Sequence, residues 1–262
     1  MGILNVTPDS FFDGGKFVSA STALRHAEAM AHAGAAIIDI GGESTRPGAQ
    51  GVGEQEEIDR VIPVIEAVSA RIDIPLSVDT SKPGVMRAAV AAGAAMINDV
   101  RALQQEGAIE AAVELQKPVC LMHMQGEPRT MQHHPEYSDV VAEVTQFLRD
   151  RVAECVQAGL DESLLLIDPG FGFGKAPADN IELLANLRQL SDMGLPILVG
   201  VSRKSTLGAI TGQDLDHRLP ASLAAAVMAV DRGASIVRAH DVAETLDALK
   251  VARAVIGTDE IE

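Results

Sequence analysis

Eight short apolar runs of strand length recur along this chain, separated by amphipathic or Ala-rich segments of helical length. The runs span residues 2–5, 36–40, 76–79, 95–98, 119–123, 164–168, 197–200 and 235–238. This alternation is typical of parallel strands joined by crossover helices. Eight consecutive units without a linker-like shift in composition favour a closed barrel over an open doubly wound sheet. We therefore predict an α/β fold, a single (β/α)8 TIM barrel, with one domain over residues 1–262.

The composition agrees with such a core and limits the class of ligand. The chain is 47% hydrophobic but only 3% aromatic, so Ala, Val, Ile and Leu must fill the interior, as in buried parallel strands. A net charge of -16 argues against nucleic acid or an acidic membrane surface as a partner. A small molecule is the expected ligand. It can be an anion, because a few local cations dominate where distant charges are screened beyond about 8 Å.

Targeting and redox signals are absent from the sequence. It has neither the basic-then-apolar start of a signal peptide nor an apolar run near the roughly 20 residues of a membrane span. Cys120 and Cys155 form neither a CxxC pair nor a metal-ligand cluster, so both are expected to be reduced and structural. A cytoplasmic protein that binds no membrane follows.

Polar residues end, or nearly end, seven of the predicted strands: Asn5, Asp39, Asp79, Asn98, His123, Asp168 and Arg238. Any one Asp at such a position is as well explained as the cap of the next helix. In a barrel, however, these strand ends open at one mouth, where the active sites of this fold lie. Seven together predict an active site there.

Two short motifs resemble known catalytic loops but fail at key positions. In DPGFGFGK (168–175), Pro169 replaces the first Gly of a phosphate-binding loop, and Ala176 replaces its Mg²⁺-binding hydroxyl. In GVSRK (200–204), Lys204 stands where a nucleophile elbow has Gly, so serine hydrolysis is not expected.

Metal chemistry is limited to a weakly held divalent ion. The histidines lack the spacing of a zinc site. Asp39, Asp79 and Asp168 could gather Mg²⁺, but Asn5 beside a diphosphate suits this ion better, because Mg²⁺ usually keeps waters and shares phosphate oxygens. We therefore expect Mg²⁺ to arrive with a substrate.

Eight sequence blocks, taken together, resemble one known family. They are MGILNVTPDSFFDGG, IIDIGGESTRPGA, SVDTSKP, INDV, LMHMQGEPRTMQ, DPGFGFGK, LVGVSRKS and RAHDV. In this order they are similar to the signature blocks of dihydropteroate synthase, over residues 1 to about 250. The resemblance implies a homodimeric TIM barrel that joins a pterin-methyl diphosphate to 4-aminobenzoate, releases diphosphate and is a target of sulfonamides.

By motif, the resemblance also implies roles for individual residues. The pterin site would comprise Asp79, Asn98, Asp168 and Lys204. The diphosphate and Mg²⁺ contacts would be Asn5, Thr45, Arg238 and His240, with Asn5 as the metal ligand. The aminobenzoate site would comprise Arg46, Pro47, Phe171 and Ser202. The catalytic set would be Asp79, Lys204, Arg238 and His240.

The chemistry of the ligand fits these assignments. The edge of a pterin presents a set of N–H donors, so a carboxylate such as Asp168 can accept two of them. Asn98 can match a mixture of donors and acceptors, and Lys204 can donate to the ring carbonyl.

Two departures from the family pattern concern the beginning of the chain. Phe12 stands in a loop that usually reads DSFSDGG, which leaves sulfonamide sensitivity open. Members also usually have a segment before the first strand, so whether a native segment precedes Met1 is open too.

Two other functions are weighed against the synthase. A pterin-dependent methyltransferase would share the pterin-binding Asp and Asn but would need neither residues 45–47 nor the SRKS block. A non-catalytic paralogue would be expected to have lost the diphosphate residues, yet Asn5, Arg238 and His240 are all present.

Overall fold

The computed structural model describes residues 1–7, 20–44, 51–126, 131 and 135–256. These ranges contain eight strands: β1 Gly2–Asn5, β2 Ile38–Gly41, β3 Leu76–Asp79, β4 Met96–Asp99, β5 Val119–Met122, β6 Leu165–Asp168, β7 Ile197–Val199 and β8 Ala234–Val237. The α-helices of the same ranges are α1 Ala20–His32, α2 Glu54–Ser69, α3 Pro83–Ala91, α4 Ala108–Leu115, α5 Val140–Gln157, α6 Pro177–Ala185, α7 Arg188–Ser191, α8 Ser205–Thr211, α9 Leu219–Asp231 and α10 Val242–Ile256. All eight predicted strands are present, with bounds that differ by at most two residues.

The strands form one curled parallel sheet in which their order follows the chain from β1 to β8. The register places Asp39 beside Ser77 and Asp79 beside Asn98. Two residues after β8, Ala239 forms an isolated parallel bridge with Gly2, and its carbonyl accepts from the amide of Ile3 at 3.1 Å. The predicted α/β architecture with eight parallel strands is therefore confirmed.

The two faces of the sheet differ because successive side chains of a strand point in opposite directions. On one face, Ile97, Leu121 and Ile167 belong to the main apolar core. On the other, Cys120 and Leu166 belong to a much smaller cluster. This second face therefore has room for polar groups near the strand ends.

Several helices begin where the local sequence predicts a start. Pro83 and Pro177 are the first residues of α3 and α6, where a missing N–H costs no helical hydrogen bond. Asp139 caps α5 by accepting a hydrogen bond from the amide of Ala142 at 3.0 Å. Among the helices of the described ranges, none is sufficiently long and apolar to cross a membrane.

Candidate active site

A buried network of ion pairs joins four strands at the carboxyl end of the sheet. Arg238, just after β8, donates from Nε to Asp39 Oδ2 at 2.6 Å and from Nη2 to Asp79 Oδ2 at 2.8 Å. Asn98 donates from Nδ2 to the same Asp39 oxygen at 3.1 Å. The sequence placed these residues at one mouth, and the structure connects them directly.

This network holds a positive charge beside a carboxyl group whose pKa is raised. Burial, against the opposing charge of Arg238 and with the support of Asp39, raises the pKa of Asp79 to about 7. Burial alone would lower the pKa of Arg238, but Asp39 and Asp79 raise it above its usual value. Arg238 therefore stays charged.

Asp168 and Lys204 form the opposite side of the site. Asp168 ends β6 and accepts from the amide of Gly170 at 2.7 Å through Oδ1. Burial raises the pKa of its carboxyl group to about 6, against the opposing effects of the Gly170 N–H and Lys204. Burial, together with Arg238, lowers the pKa of Lys204 to about 8. The Lys204 ammonium lies 4.0 Å from the ring centre of Phe173, a cation–π contact.

Ser202 and His240 form a hydrogen-bonded pair beside Arg238. The Ser202 hydroxyl lies 3.0 Å from His240 Nδ1 and accepts from the His240 backbone amide at 3.2 Å. Burial and the neighbouring cation of Arg238 lower the pKa of His240 to about 4. The imidazole is therefore neutral at pH 7, so one of its ring nitrogens carries a proton that it can donate.

Asn5 lies close to Asp79 at the end of β1. A Cβ atom on Gly41 would lie 3.6 Å from both Asn5 Oδ1 and Asp79 Oδ2, so the two oxygens are near one another. In the described part of the chain, no group of three His, Cys, Asp or Glu residues is arranged to hold a metal. A single amide oxygen such as that of Asn5 fits Mg²⁺ that keeps most of its waters and shares phosphate oxygens.

The loop between β6 and α6 is held by a buried lysine whose role the sequence did not indicate. Lys175 is 1% exposed, and its ammonium donates to the carbonyls of Gly170 and Phe173 at 3.0 Å each. It also lies 2.8 Å from His123 Nδ1. Burial lowers the pKa of Lys175 to about 7, and burial together with Lys175 lowers that of His123 to about 3. The imidazole of His123, just after β5, therefore contacts Lys175 of this loop through Nδ1.

The two phenylalanines of the same loop have different surroundings. Phe171, predicted to contact aminobenzoate, is buried in the main core beside Leu183 and Leu187. Phe173, which the sequence did not single out, contacts the Lys204 ammonium. Other residues singled out by the sequence lie outside the described ranges: Phe12, Thr45, Arg46 and Pro47.

A cavity of about 220 Å³ opens beside Asp79. Its wall includes Lys82, which donates to Glu57 at 2.5 Å and also to Glu43. Glu43 follows β2, so this ion-pair cluster ties the residues just after β2 to Glu57 of α2.

The arrangement as a whole suits a ligand with two chemically different ends. Near Asp168, Asn98 and Lys204, carboxylate, amide and ammonium groups can match a ring edge that carries both donors and acceptors. Near Arg238 and His240, a charged guanidinium and a neutral imidazole can donate to an anion. Burial strengthens both sets of interactions because water screens them less.

Comparisons with known proteins agree with this chemistry. Residues 1–240 match the family described as pterin binding enzyme. The chain is 53% identical over 260 residues to the dihydropteroate synthase of Escherichia coli strain K12, covering 99% of this chain and 92% of the relative. It is also similar to two solved structures. One is the Yersinia pestis dihydropteroate synthase in a sulfonamide drug complex, with 52% identity, a TM-score of 0.94 and coverage of 98% and 93%. The other is the Xanthomonas albilineans dihydropteroate synthase with 4-aminobenzoic acid, with 54% identity, a TM-score of 0.93 and coverage of 97% and 92%.

Proposed function

Because this chain belongs to the pterin binding enzyme family, as a dihydropteroate synthase, we propose how its residues divide the reaction. The reaction joins (7,8-dihydropterin-6-yl)methyl diphosphate to 4-aminobenzoate, giving 7,8-dihydropteroate and diphosphate. This proposal is supported by five residues that converge at one end of the sheet: Asp79, Asn98, Asp168, Lys204 and Arg238. Together they offer groups that match the edge of a pterin ring and a cation that binds a diphosphate.

The pterin ring is held by four residues: Asp79, Asn98, Asp168 and Lys204. Asp168 accepts two N–H groups of the ring edge, which a carboxylate does better than any neutral group. Lys204 donates to the ring carbonyl. The contact between Lys204 and Phe173 supports this assignment, because it holds the ammonium on the side of the site that contains Asp168.

The diphosphate is held by Arg238, His240 and Asn5, together with Thr45. The raised pKa of Arg238 supports a permanent cation at this position, and the neutral His240 supplies an uncharged donor. Asn5 would hold Mg²⁺, which when bound supplies positive charge to a leaving diphosphate. These groups stabilise the charge that develops as the diphosphate departs.

The chemical step exchanges one bond at the pterin methylene carbon. The carbon–oxygen bond to the diphosphate breaks, and the oxygen keeps its electron pair. The amino nitrogen of 4-aminobenzoate forms the new bond with its lone pair and afterwards loses one proton. This nitrogen is neutral at pH 7, so no residue must remove a proton before the attack. Asp79, paired with Arg238, lies near the positive charge that the methylene and ring share.

The aminobenzoate is proposed to contact Arg46, Pro47, Phe171 and Ser202. The hydrogen bond between Ser202 and His240 supports a position beside the diphosphate residues, where the attacking nitrogen must arrive. Sulfonamides, which resemble aminobenzoate, are the proposed inhibitors at this position.

Closure of the sheet and assembly of the protein are proposed as follows. We propose that the sheet closes as a single (β/α)8 TIM barrel in one domain over residues 1–262, supported by the hydrogen bonds of Ala239 with the first strand. A homodimer is proposed from the family resemblance. Val251 and Val255, each 66% exposed on α10, supply apolar surface for it. The cytoplasmic location stays a prediction from the sequence.

A coupled assay of diphosphate release tests the function. With both substrates and Mg²⁺, we expect release of diphosphate together with formation of dihydropteroate. A pterin-dependent methyltransferase would release no diphosphate, and a non-catalytic paralogue would bind pterin without turnover. Diphosphate release that does not require 4-aminobenzoate would contradict the proposed transfer.

Pterin affinity is expected to depend on pH through Asp168. Because burial raises the pKa of this carboxyl group to about 6, it becomes protonated below that pH and loses its ability to accept two N–H groups. Affinity for 6-hydroxymethylpterin should therefore fall about tenfold for each pH unit below 6, measured by calorimetry. Asp79 titrates near pH 7, so Asp168→Asn serves as the control and should abolish only the change near pH 6. A wild-type affinity that is constant between pH 5 and about 6 would be inconsistent with this role.

A further inference from the structure

Asp39 occupies a central position in the site without belonging to any of the proposed substrate contacts. Its side chain is fully buried, at 0% exposure, and it lies within β2 rather than at the end of the strand. One oxygen, Oδ2, accepts hydrogen bonds from both Asn98 and Arg238. Asp39 thus joins a residue of the pterin end to a residue of the diphosphate end.

The contact with Asn98 fixes the direction of an amide group. The Asp39 oxygen that pairs with Arg238 accepts hydrogen bonds, so Asn98 turns its NH₂ group towards it. The carbonyl oxygen of Asn98 is then left to accept from a ligand. Without this contact, the amide could rotate by half a turn and present a donor to the N–H groups of the pterin edge.

The contact with Arg238 fixes the plane of a guanidinium group. Nε is held by Asp39 and Nη2 by Asp79, on two neighbouring strands. A planar guanidinium that is held by two carboxylates can turn little, and its remaining N–H groups keep one direction. Asp39 thereby sets where these donors meet an anion.

We propose that Asp39 is a positioning residue that aligns Asn98 for the pterin and Arg238 for the diphosphate through one shared oxygen. This inference rests on the proposed function of the site. It assigns no substrate contact to Asp39, which acts only through its two partners.

Ser77 provides a matched control. It lies beside Asp39 in the sheet register and is equally buried. Within the described residues, its hydroxyl has no hydrogen-bond partner. Ser77→Ala therefore changes the same region of the interior without touching Asn98 or Arg238.

The test measures two ligands separately by calorimetry: 6-hydroxymethylpterin, and inorganic pyrophosphate with Mg²⁺. Asp39→Ala is expected to weaken the binding of each by at least about tenfold, and Ser77→Ala by less than about threefold. In an Asn98→Ala background, adding Asp39→Ala should lower pterin affinity by less than about threefold, because the residue that it aligns is gone. Pyrophosphate affinity should still fall about tenfold in that background. A general structural defect would not make the loss of pterin affinity depend on Asn98.

The proposal is overturned if Asp39→Ala leaves both affinities within about threefold of the wild type, or if it weakens pterin binding equally with and without Asn98. Asp39→Ser is the second variant if Asp39→Ala does not fold, as judged by thermal unfolding. The same outcomes decide it, because serine is too short to make both contacts. A wild type that releases no diphosphate from the two substrates would overturn the proposed function, and with it this role. If the wild type releases diphosphate normally and the Asp39 variants bind both ligands as the wild type does, only the role of Asp39 is overturned.

Discussion

Replacing Asp168 by alanine is expected to lower the affinity for 6-hydroxymethylpterin by at least about a hundredfold, because two charge-assisted hydrogen bonds contribute about 1.5–3 kcal/mol each. The carboxyl group is buried at the end of β6, so water cannot easily replace it in the complex. Calorimetry at pH 7.5 measures the loss. Diphosphate release should fall in parallel at low substrate concentration.

Asp168→Asn separates ligand binding from loop structure. The Asp168 carboxylate also accepts from the amide of Gly170, a contact that alanine loses and that an amide oxygen can retain. We therefore expect Asp168→Asn to unfold at a higher temperature than Asp168→Ala. It should nevertheless bind pterin almost as poorly, because its NH₂ group meets the N–H donors of the ring. Wild-type pterin affinity in Asp168→Asn would remove Asp168 from the pterin site.

Replacing Gly170 by alanine is expected to be the most damaging small substitution for the stability of the loop after β6. A Cβ atom on Gly170 would lie 1.8 Å from the carbonyl oxygen of His123 and 3.3 Å from Lys175 Nζ. Gly170 also has φ +69°, a conformation that costs an alanine roughly 1–2 kcal/mol. The backbone must therefore move away from the His123 carbonyl, and Lys175 Nζ must shift as well. We expect a loss of at least about 3 kcal/mol in the free energy of unfolding, or failure to fold.

Gly194→Ala is the matched control for this substitution. Gly194 has a similar φ of +73°, but an added Cβ would meet no atom within 4 Å. The variant should therefore lose only the roughly 1–2 kcal/mol that the backbone conformation costs. Denaturant unfolding compares the two variants directly. Equal losses would show that the close approach of Gly170 to His123 does not contribute to stability.

The repeating units of this protein can be read from the amino-acid sequence alone. Strand positions were predicted to within two residues, because apolar runs that alternate with amphipathic segments are local patterns that need no knowledge of distant neighbours. It also placed Asp79, Asn98 and Asp168 near the carboxyl ends of their strands. The fold brings these ends together, so a list of strand-end residues already contained most of the candidate site.

The contacts of these side chains, in contrast, depend on the three-dimensional fold. His123 was expected at the mouth, but the buried ammonium of Lys175, which is distant in sequence, occupies its ring nitrogen. The sequence predicts Asp39 near the end of its strand, but not that its carboxylate joins Asn98 to Arg238. The reason is geometric: the face on which a side chain lies depends on its position in the strand and on the register with neighbouring strands. A shift of one residue reverses that face, and the local sequence pattern does not fix strand bounds to one residue.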